Sequence, residues 1–170
     1  MVLKSCEKCD IIDEKRCVKG RDIVINIREA RKEDLDDLLH LYSVLYGKTV
    51  LKTDSGTEVT WQEMLSDPFY HIIVAEEDGK IVSTCVVVIV RNLTFEHRPY
   101  AIIDNIVTHG DYRAQGLATA CLQEAKRIAE DAGCFKITLS TSSRLPSTHK
   151  FYERLGYNKE GLTAFTQWLG

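Results

Sequence analysis

The chain has 170 residues, of which 44% are hydrophobic and 28% charged, with a formal net charge of -3; that is enough for one domain with a core of its own. No basic stripe marks a nucleic-acid face, and no stretch reaches the roughly 20 apolar residues of a membrane span. Six cysteines are too few for a disulfide scaffold in a chain this long.

Residues 1–21 read as a flexible N-terminal extension and residues 22–170 as a single domain. The extension holds "CEKCDIIDEKRC", with Cys6, Cys9 and Cys17. A closed zinc site needs four ligands and no histidine lies nearby to complete it. A redox C-x-x-C opens a helix after a strand, which this one does not. No metal is therefore expected. The N-terminus lacks the apolar core of a signal peptide, which makes the cytoplasm the expected compartment.

"DIVINIREA" (22–30) alternates apolar and polar residues and reads as a first strand. "RKEDLDDLLHLYSVLYG" repeats Leu35, Leu38, Leu39, Tyr42 and Leu45 at helical spacing, with acids in its first turns and Gly47 as a stop. "TDSGTEV" reads as loop, and "TWQEMLSDP" as a short helix capped by Thr60 and ended by Pro68. "HIIVAEEDGKIVSTCVVVIVRN" has two strand-like runs around Asp78-Gly79, a strong hairpin signal. "YAIIDNIVTHG" is apolar on both faces and predicts a central strand. A long helix follows, with Ala118, Cys121, Leu122, Ala125, Ile128, Ala129 and Ala132 on one face and Gly133 at its end. Cys85, Cys121 and Cys134 fall inside apolar patterns and read as small core residues. "CFKITLSTS" is a strand, "PSTHKFYERLG" a short helix begun near Pro146 or Ser147, and "YNKEGLTAFTQWLG" supplies one or two last strands. The order describes an α/β sandwich on a mixed sheet.

Between the central strand and the long helix lies "DYRAQGLATA" (111–120). The first N–H groups of a helix have no intrahelical partners and can surround a phosphate. Gly116 lets the backbone approach closely, Thr119 offers a hydroxyl and Arg113 a charge. Spacing alone leaves a phosphate cradle and a plain turn both open. Neither a G-x-x-x-x-G-K-S/T loop nor a G-x-G-x-x-G fingerprint is present, so neither a P-loop site nor a Rossmann site is supported.

Arg113-x-x-Gly116-x-Ala118 resembles the Gln/Arg-x-x-Gly-x-Gly/Ala motif of the GNAT superfamily of acyl-CoA-dependent N-acetyltransferases. "HKFYERLGY" is similar to the family's "FYEKxGF" signature, and the strand, loop, helix and strand between 100 and 157 follow the family's order. The resemblance covers roughly residues 23–168. It implies a mixed, mostly antiparallel sheet with splayed central strands, flanked by about four helices. It implies acetyl-CoA as cosubstrate, with its pantetheine arm along the backbone of Ile106, Val107 and Thr108. The pyrophosphate would sit on the amides of Arg113, Ala114, Gln115, Gly116, Leu117, Ala118 and Thr119, with Thr148 and Ser147 near the cofactor.

Tyr152 holds the tyrosine position of the signature. A phenol there is suited to protonate the departing thiolate; the other reading is a ring packed beneath the helix. Asp104 is an acid in an apolar strand, either a base for the amine or a carboxylate bonded to nearby amides. Asn105 would orient substrate or satisfy the splayed backbone, and His109 and His149 are weaker base candidates. The expected acceptor is a small-molecule primary amine, with Arg91, His97 and Arg98 placed to recognise an acidic one and Trp61, Tyr42 and Tyr46 to line its pocket. The branch acting on glucosamine 6-phosphate is similar in "IIDNIVTHGDYRAQGLATACL". A protein or peptide amine is the competing acceptor, and a non-catalytic CoA-binding module the competing class. No nucleic-acid or membrane partner is expected. "TAFTQWLG" reads either as the interface strand of a homodimer or as an edge strand on the chain's own sheet.

Overall fold

The protein is described by a computed structural model over residues 14–18, 21–47 and 53–169. Six strands, β1 (Glu14–Val18), β2 (Arg21–Glu29), β3 (Tyr70–Glu77), β4 (Lys80–Val90), β5 (Tyr100–Thr108) and β6 (Ile137–Leu139), form one sheet in chain order. Neighbours are antiparallel from β1 to β5, and β6 alone runs parallel to its neighbour, β5. Helices α1 (Leu35–Tyr46) and α2 (Ser55–Ser66) cover one face; α3 (Leu117–Asp131) and α4 (Pro146–Arg154) cover the other. The mixed, mostly antiparallel sheet and the four α-helices expected from the sequence are both present.

Alternation along the strands divides the core in two. Ile72, Val74 and Val86 pack with Leu38, Leu41 and Trp61 of α1 and α2. Ile73, Ala75, Val87 and Ile103 pack with Cys121, Leu122, Ala125 and Ile128 of α3. Of the apolar stripe expected on α3, Cys121, Leu122, Ala125, Ile128 and Ala129 are buried, Ala118 is half-buried and Ala132 is exposed; Cys85 and Cys121 are fully enclosed. The helix ends in a Schellman arrangement: Cys134 N–H bonds to Ala129 O at 2.9 Å across Gly133, whose φ is 73°. Asp78 (φ 50°) and Gly79 (φ 76°) make the β3–β4 turn left-handed at both centres, the geometry a two-residue hairpin favours.

The structure corrects four expectations. Helix α2 begins at Ser55, not after Thr60: Asp54 is the N-cap and its carboxylate accepts from Thr57 N–H at 2.8 Å. The weak helix former Gly56 hid that first turn. The helix does end before Pro68, with Asp67 extended as a residue preceding proline must be. Helix α4 begins at Pro146, as read from the sequence, with Ser147 in its first turn. No strand forms in residues 157–169. Strand β5 is internal to the sheet, yet not covered on both faces: Ile102 is 40% exposed on the side of α1 and α2. The segment read as an extension contributes β1, whose Cys17 stands opposite Asp22 of β2; Cys6 and Cys9 lie outside the described residues. No described helix is long and apolar enough to cross a membrane.

One ion-pair network locks β2 to its surroundings. Arg28 Nη1 and Nη2 donate to Asp34 at 2.6 and 2.9 Å, and Nε donates to Glu76 of β3 at 2.7 Å. Burial by itself would raise the Asp34 carboxyl, but the Arg28 bonds and the Arg31 amide outweigh it and hold the group below the usual carboxylate range. Arg28→Ala leaves this carboxylate buried without its guanidinium and is expected to lower stability by about 3 kcal/mol in urea unfolding. Because the folded-state value is depressed, the network's contribution is complete above the ordinary aspartate range near ~3.9 and is lost as pH falls through the folded value. The wild-type advantage over Arg28→Ala should therefore shrink on acidification.

Candidate active site

The site begins where two strands part. β5 pairs with β6 only through Ala101↔Ile137, Ile102↔Thr138 and Ile103↔Leu139. β6 then ends, while β5 runs on to Thr108. From Asp104 to Thr108 the edge of β5 on that side has no partner strand among the described residues. This is the splay the sequence resemblance implied.

A bulge sits in the same stretch. Thr84 pairs with Val107 and Val86 with Asp104, so β5 carries one more residue than β4 between those pairs. Asn105, at φ 50°, absorbs the excess. The bulge exchanges the faces of the residues beyond it: Ile106 packs toward α3, and Val107 toward α1. Asp104 precedes it on the α1 side, and its carboxylate accepts from the Asn105 N–H at 2.8 Å. Beyond the bulge, the buried Ser83 hydroxyl donates to Val107 O at 3.0 Å and lies 2.7 Å from Thr108 Oγ1, pinning the end of β5 to β4. Of the three residues expected along the pantetheine, Val107 and Thr108 thus have carbonyls already engaged, the latter by Arg113 Nε at 3.3 Å.

The loop after β5 opens α3 without a side-chain cap. Gly116 is the N-cap at φ 85°, and the first intrahelical bond runs from Ala120 N–H to its carbonyl at 3.0 Å. The amides of Leu117, Ala118 and Thr119 precede that bond and so have no intrahelical acceptor. Ala114 is also left-handed, at φ 59°, with Gln115 between the two. Such alternation turns successive N–H groups into one concavity, which suits an anion. Gln115 Nε2 donates to Asp111 O at 3.3 Å and braces the loop. Leu117 is buried beneath it as the anchor of α3. The sequence posed the choice between a plain turn and a cradle; the missing cap and the paired left-handed residues favour the cradle.

Tyr152 lies on the other flank of the gap. It is half-buried on the α3 side of the sheet, with edge-on contacts to Phe151 at 5.1 Å and Tyr157 at 6.0 Å. Burial, with a smaller contribution from Cys85, raises its phenol. The same two influences, with Tyr152 itself, push Tyr157 up to about 12. Tyr152 is therefore a protonated donor throughout the neutral range. Thr148 is in the first turn of α4 and accepts from Ser143 Oγ at 3.0 Å; His149 Nε2 lies 2.8 Å from Ser143 O. Both are held by the loop before the helix. His109 Nδ1 accepts from Asp111 N–H at 3.4 Å and its ring stacks with His40 at 6.1 Å, which places it at the mouth of the loop.

Asp104 and Tyr152 therefore flank the gap from opposite faces of the sheet. The residues expected at the acceptor do not gather there. Trp61 is core, its Nε1 donating to Lys32 O at 3.1 Å. Arg98 closes the end of α3 by donating to Gly133 O and Cys134 O. Arg91 lies over the Phe69 ring at 4.2 Å and borders, with His97 and His71, a cavity of about 540 Å³. His71 and Phe69 point toward α3, so that cavity opens on the face opposite Asp104. The side chain of Tyr46 lies outside the described residues, and Tyr42 packs against the α1-side core. The sequence did not single out Tyr70. It sits beside Asp104, its phenol raised by burial and then by that carboxylate. With Val88 and the exposed Ile102 it forms a shelf next to the acid. Only strand register reveals this, since Tyr70 lies 34 positions away in the chain.

A fold with parted central strands, a bulge at the parting and an uncapped helix start at its end defines a class, and the comparisons agree. The family model described as the Acetyltransferase (GNAT) family matches residues 35–157, and the chain belongs to that family. It is similar to the glucosamine 6-phosphate N-acetyltransferase of Trypanosoma brucei brucei, 32% identical over 138 residues that span 80% of this chain and 91% of that one. Human N-acetyltransferase 8B is 28% identical over 72% of this chain, which spans about half (53%) of that longer relative. Among solved structures, a putative acetyltransferase from Agrobacterium tumefaciens str. C58 superposes with a TM-score of 0.79 at 35% identity, over 84% of this chain and 99% of that one.

Gly116→Val places a β-branched residue at φ 85° in the wall of the cradle. It is expected to weaken CoA binding at least about tenfold, or about 1.4 kcal/mol, in calorimetric titration. Unchanged affinity with retained helical circular dichroism would remove the loop from the cofactor site.

Proposed function

We propose that the protein transfers the acetyl group of acetyl-CoA directly to a primary amine of a small molecule. One observation carries the reading: the unpaired edge of β5 leads straight to the uncapped start of α3, with an acid and a phenol on opposite flanks. A pantetheine arm can add to that edge as a false strand, through main-chain hydrogen bonds. The pyrophosphate then meets the amides of Leu117, Ala118 and Thr119 and the Arg113 charge.

With the thioester in the gap, the two faces have separate tasks. The amine approaches from the side of Tyr70, Ile102 and Asp104. Asp104 takes its proton, directly or through a water, as nitrogen attacks the thioester carbon. The carbon–sulfur bond then breaks toward the α3 side, where Tyr152 gives its proton to the departing thiolate and recovers one from solvent. The Asn105 N–H orients the Asp104 carboxylate. A small acceptor is supported by the compact shelf beside Asp104 and by the similarity to a relative named for glucosamine 6-phosphate.

Tyr152→Phe should lower kcat by about 10² or more with little change in KM, because the phenol acts only as sulfur gains charge. Since its pKa is raised above the ordinary ~10, wild-type turnover should show no loss assignable to Tyr152 until pH passes that value. Asp104→Asn should lower kcat/KM by about 10² or more, measured as free-thiol release, because the amine loses its base. The test is free-thiol release across a panel of amino sugars, polyamines, amino acids and peptides with free N-termini. Turnover confined to the peptides would reassign the acceptor. Tight CoA binding with no turnover of any amine would make this a binding module.

A further inference from the structure

The cavity bordered by Arg91 lies apart from the site described above. It opens on the α3 face, where β3 begins, β4 ends and α3 stops, and encloses about 540 Å³. Phe69, Ile89, Pro99 and Ala132 give it apolar walls. That size and lining are those of small-molecule sites, mostly apolar with a few polar groups that fix orientation. Ala132 is at the opposite end of α3 from the phosphate cradle, about 22 Å along the helix axis. Asp104 is on the other face of the sheet. The cavity is thus outside both the cradle and the shelf beside Asp104.

Its ionisable groups are all bases. Arg91, His71 and His97 line it, and no carboxylate is among the lining residues. Arg28 and Arg127 are each held by two carboxylates, and Arg98 by two carbonyls. Arg91, at the exposed rim, has neither among the described residues; its guanidinium lies over the Phe69 ring at 4.2 Å. A stacked guanidinium keeps its N–H donors in its own plane, where a carboxylate can accept from two of them. His71 Nδ1 lies 2.9 Å from Glu29 Oε1, and a carboxylate only accepts, so the proton is on Nδ1. Its Nε2 has no partner among the described residues. Two acids beside the cavity are engaged, Glu29 by that ring and Asp67 by the Phe69 N–H at 2.8 Å.

The loop that brings His97 here is built at a cost. Phe95, Glu96 and His97 have φ of 52°, 61° and 64°, three consecutive left-handed residues without a glycine. That conformation costs roughly 1–2 kcal/mol per residue, and such strain collects at ligand sites. Asn92 Nδ2 donates to Thr94 O and Arg98 O, Phe95 stacks on Phe135 at 4.2 Å, and Arg98 is tied to the end of α3. Together these contacts hold the turn against the cavity.

We infer that this cavity binds a small carboxylate with an apolar body, the carboxylate on Arg91 and the body on Ile89, Pro99 and Ala132. A phosphate dianion suits it less, because no helix N-terminus lines it and the negative end of the α3 dipole is close. Tyr70 lies between Phe69 and His71 on β3 and faces Asp104 on the other side. A ligand that fixes those two neighbours fixes Tyr70 as well, so it changes the KM of the amine and leaves CoA affinity alone. That effect rests on the acceptor shelf proposed above; the binding itself does not.

Hydrocinnamate, naphthoate, hydrocinnamide and phenyl phosphate are titrated into the full chain while its backbone amide resonances are followed. Saturable binding of the two carboxylates is expected, with shifts centred on Phe69, His71, Arg91 and His97 and none at Gly116. Arg91→Gln should weaken that binding at least about tenfold and leave the CoA titration unchanged. No saturable binding at millimolar ligand, equal binding of the amide, tighter binding of phenyl phosphate, or shifts confined to the Arg113–Thr119 loop each overturns the proposal. Saturating hydrocinnamate should also shift the KM of the amine in the wild-type chain and not in Arg91→Gln. An unchanged KM with binding intact overturns the link to Tyr70. Should no amine be turned over at all, the proposed function falls while the resonance shifts still decide the site.

Discussion

The constraint on which the structure turns is the loss of a strand partner by β5 after Ile103. Backbone N–H and C=O groups inside a protein need partners. A sheet that stops pairing in its interior must close the gap, bend away from it or offer it to a ligand. Here the bulge at Asn105 and the Ser83 clamp on Val107 and Thr108 fix β5 against β4. The gap stays open because its near wall is held from behind.

The same geometry sorts the chemistry. A strand alternates its side chains between faces, and the bulge shifts that alternation by one at the point where the strands part. Asp104 faces the α1 side, near Tyr70 and Ile102. Tyr152 faces the α3 side, among Phe151, Tyr157 and the buried thiol Cys85. Attack and departure on a thioester held between them would occur in environments the sheet keeps separate. Asp104 is exposed on the α1 side, whereas Tyr152 and Tyr157 pack against the α3-side core.

Legibility in the sequence follows the range of the interactions. Local signals held: Asp78-Gly79 turned the hairpin, Gly133 closed α3, and the centre of the α3 stripe, Cys121 to Ala129, was buried where periodicity put it. The loop from Arg113 to Thr119 was visible because its chemistry is compressed into seven consecutive residues. Readings that depended on distant partners fared worse. Trp61 seemed suited to a pocket, but the carbonyl of Lys32 and the core of α1 took it. Arg98 seemed free to bind an anion, but the carbonyls at the end of α3 occupy it. Tyr70 gave no signal, because its neighbour Asp104 is reached only across two strands. Phe165 and Trp168 promised a strand, but residues 157–169 form none and both side chains stay exposed.

What the sequence determined by itself was therefore most of the elements, the glycine-led start of α3 and the tyrosine signature. Each is encoded in residues near one another along the chain, where turn chemistry and periodicity act directly. Tertiary structure alone decided that Asp104 and Tyr152 stand on opposite faces of the sheet and that Ile106 and Val107 exchange faces. Those facts arise from register between strands, and register is settled by packing across the whole sheet.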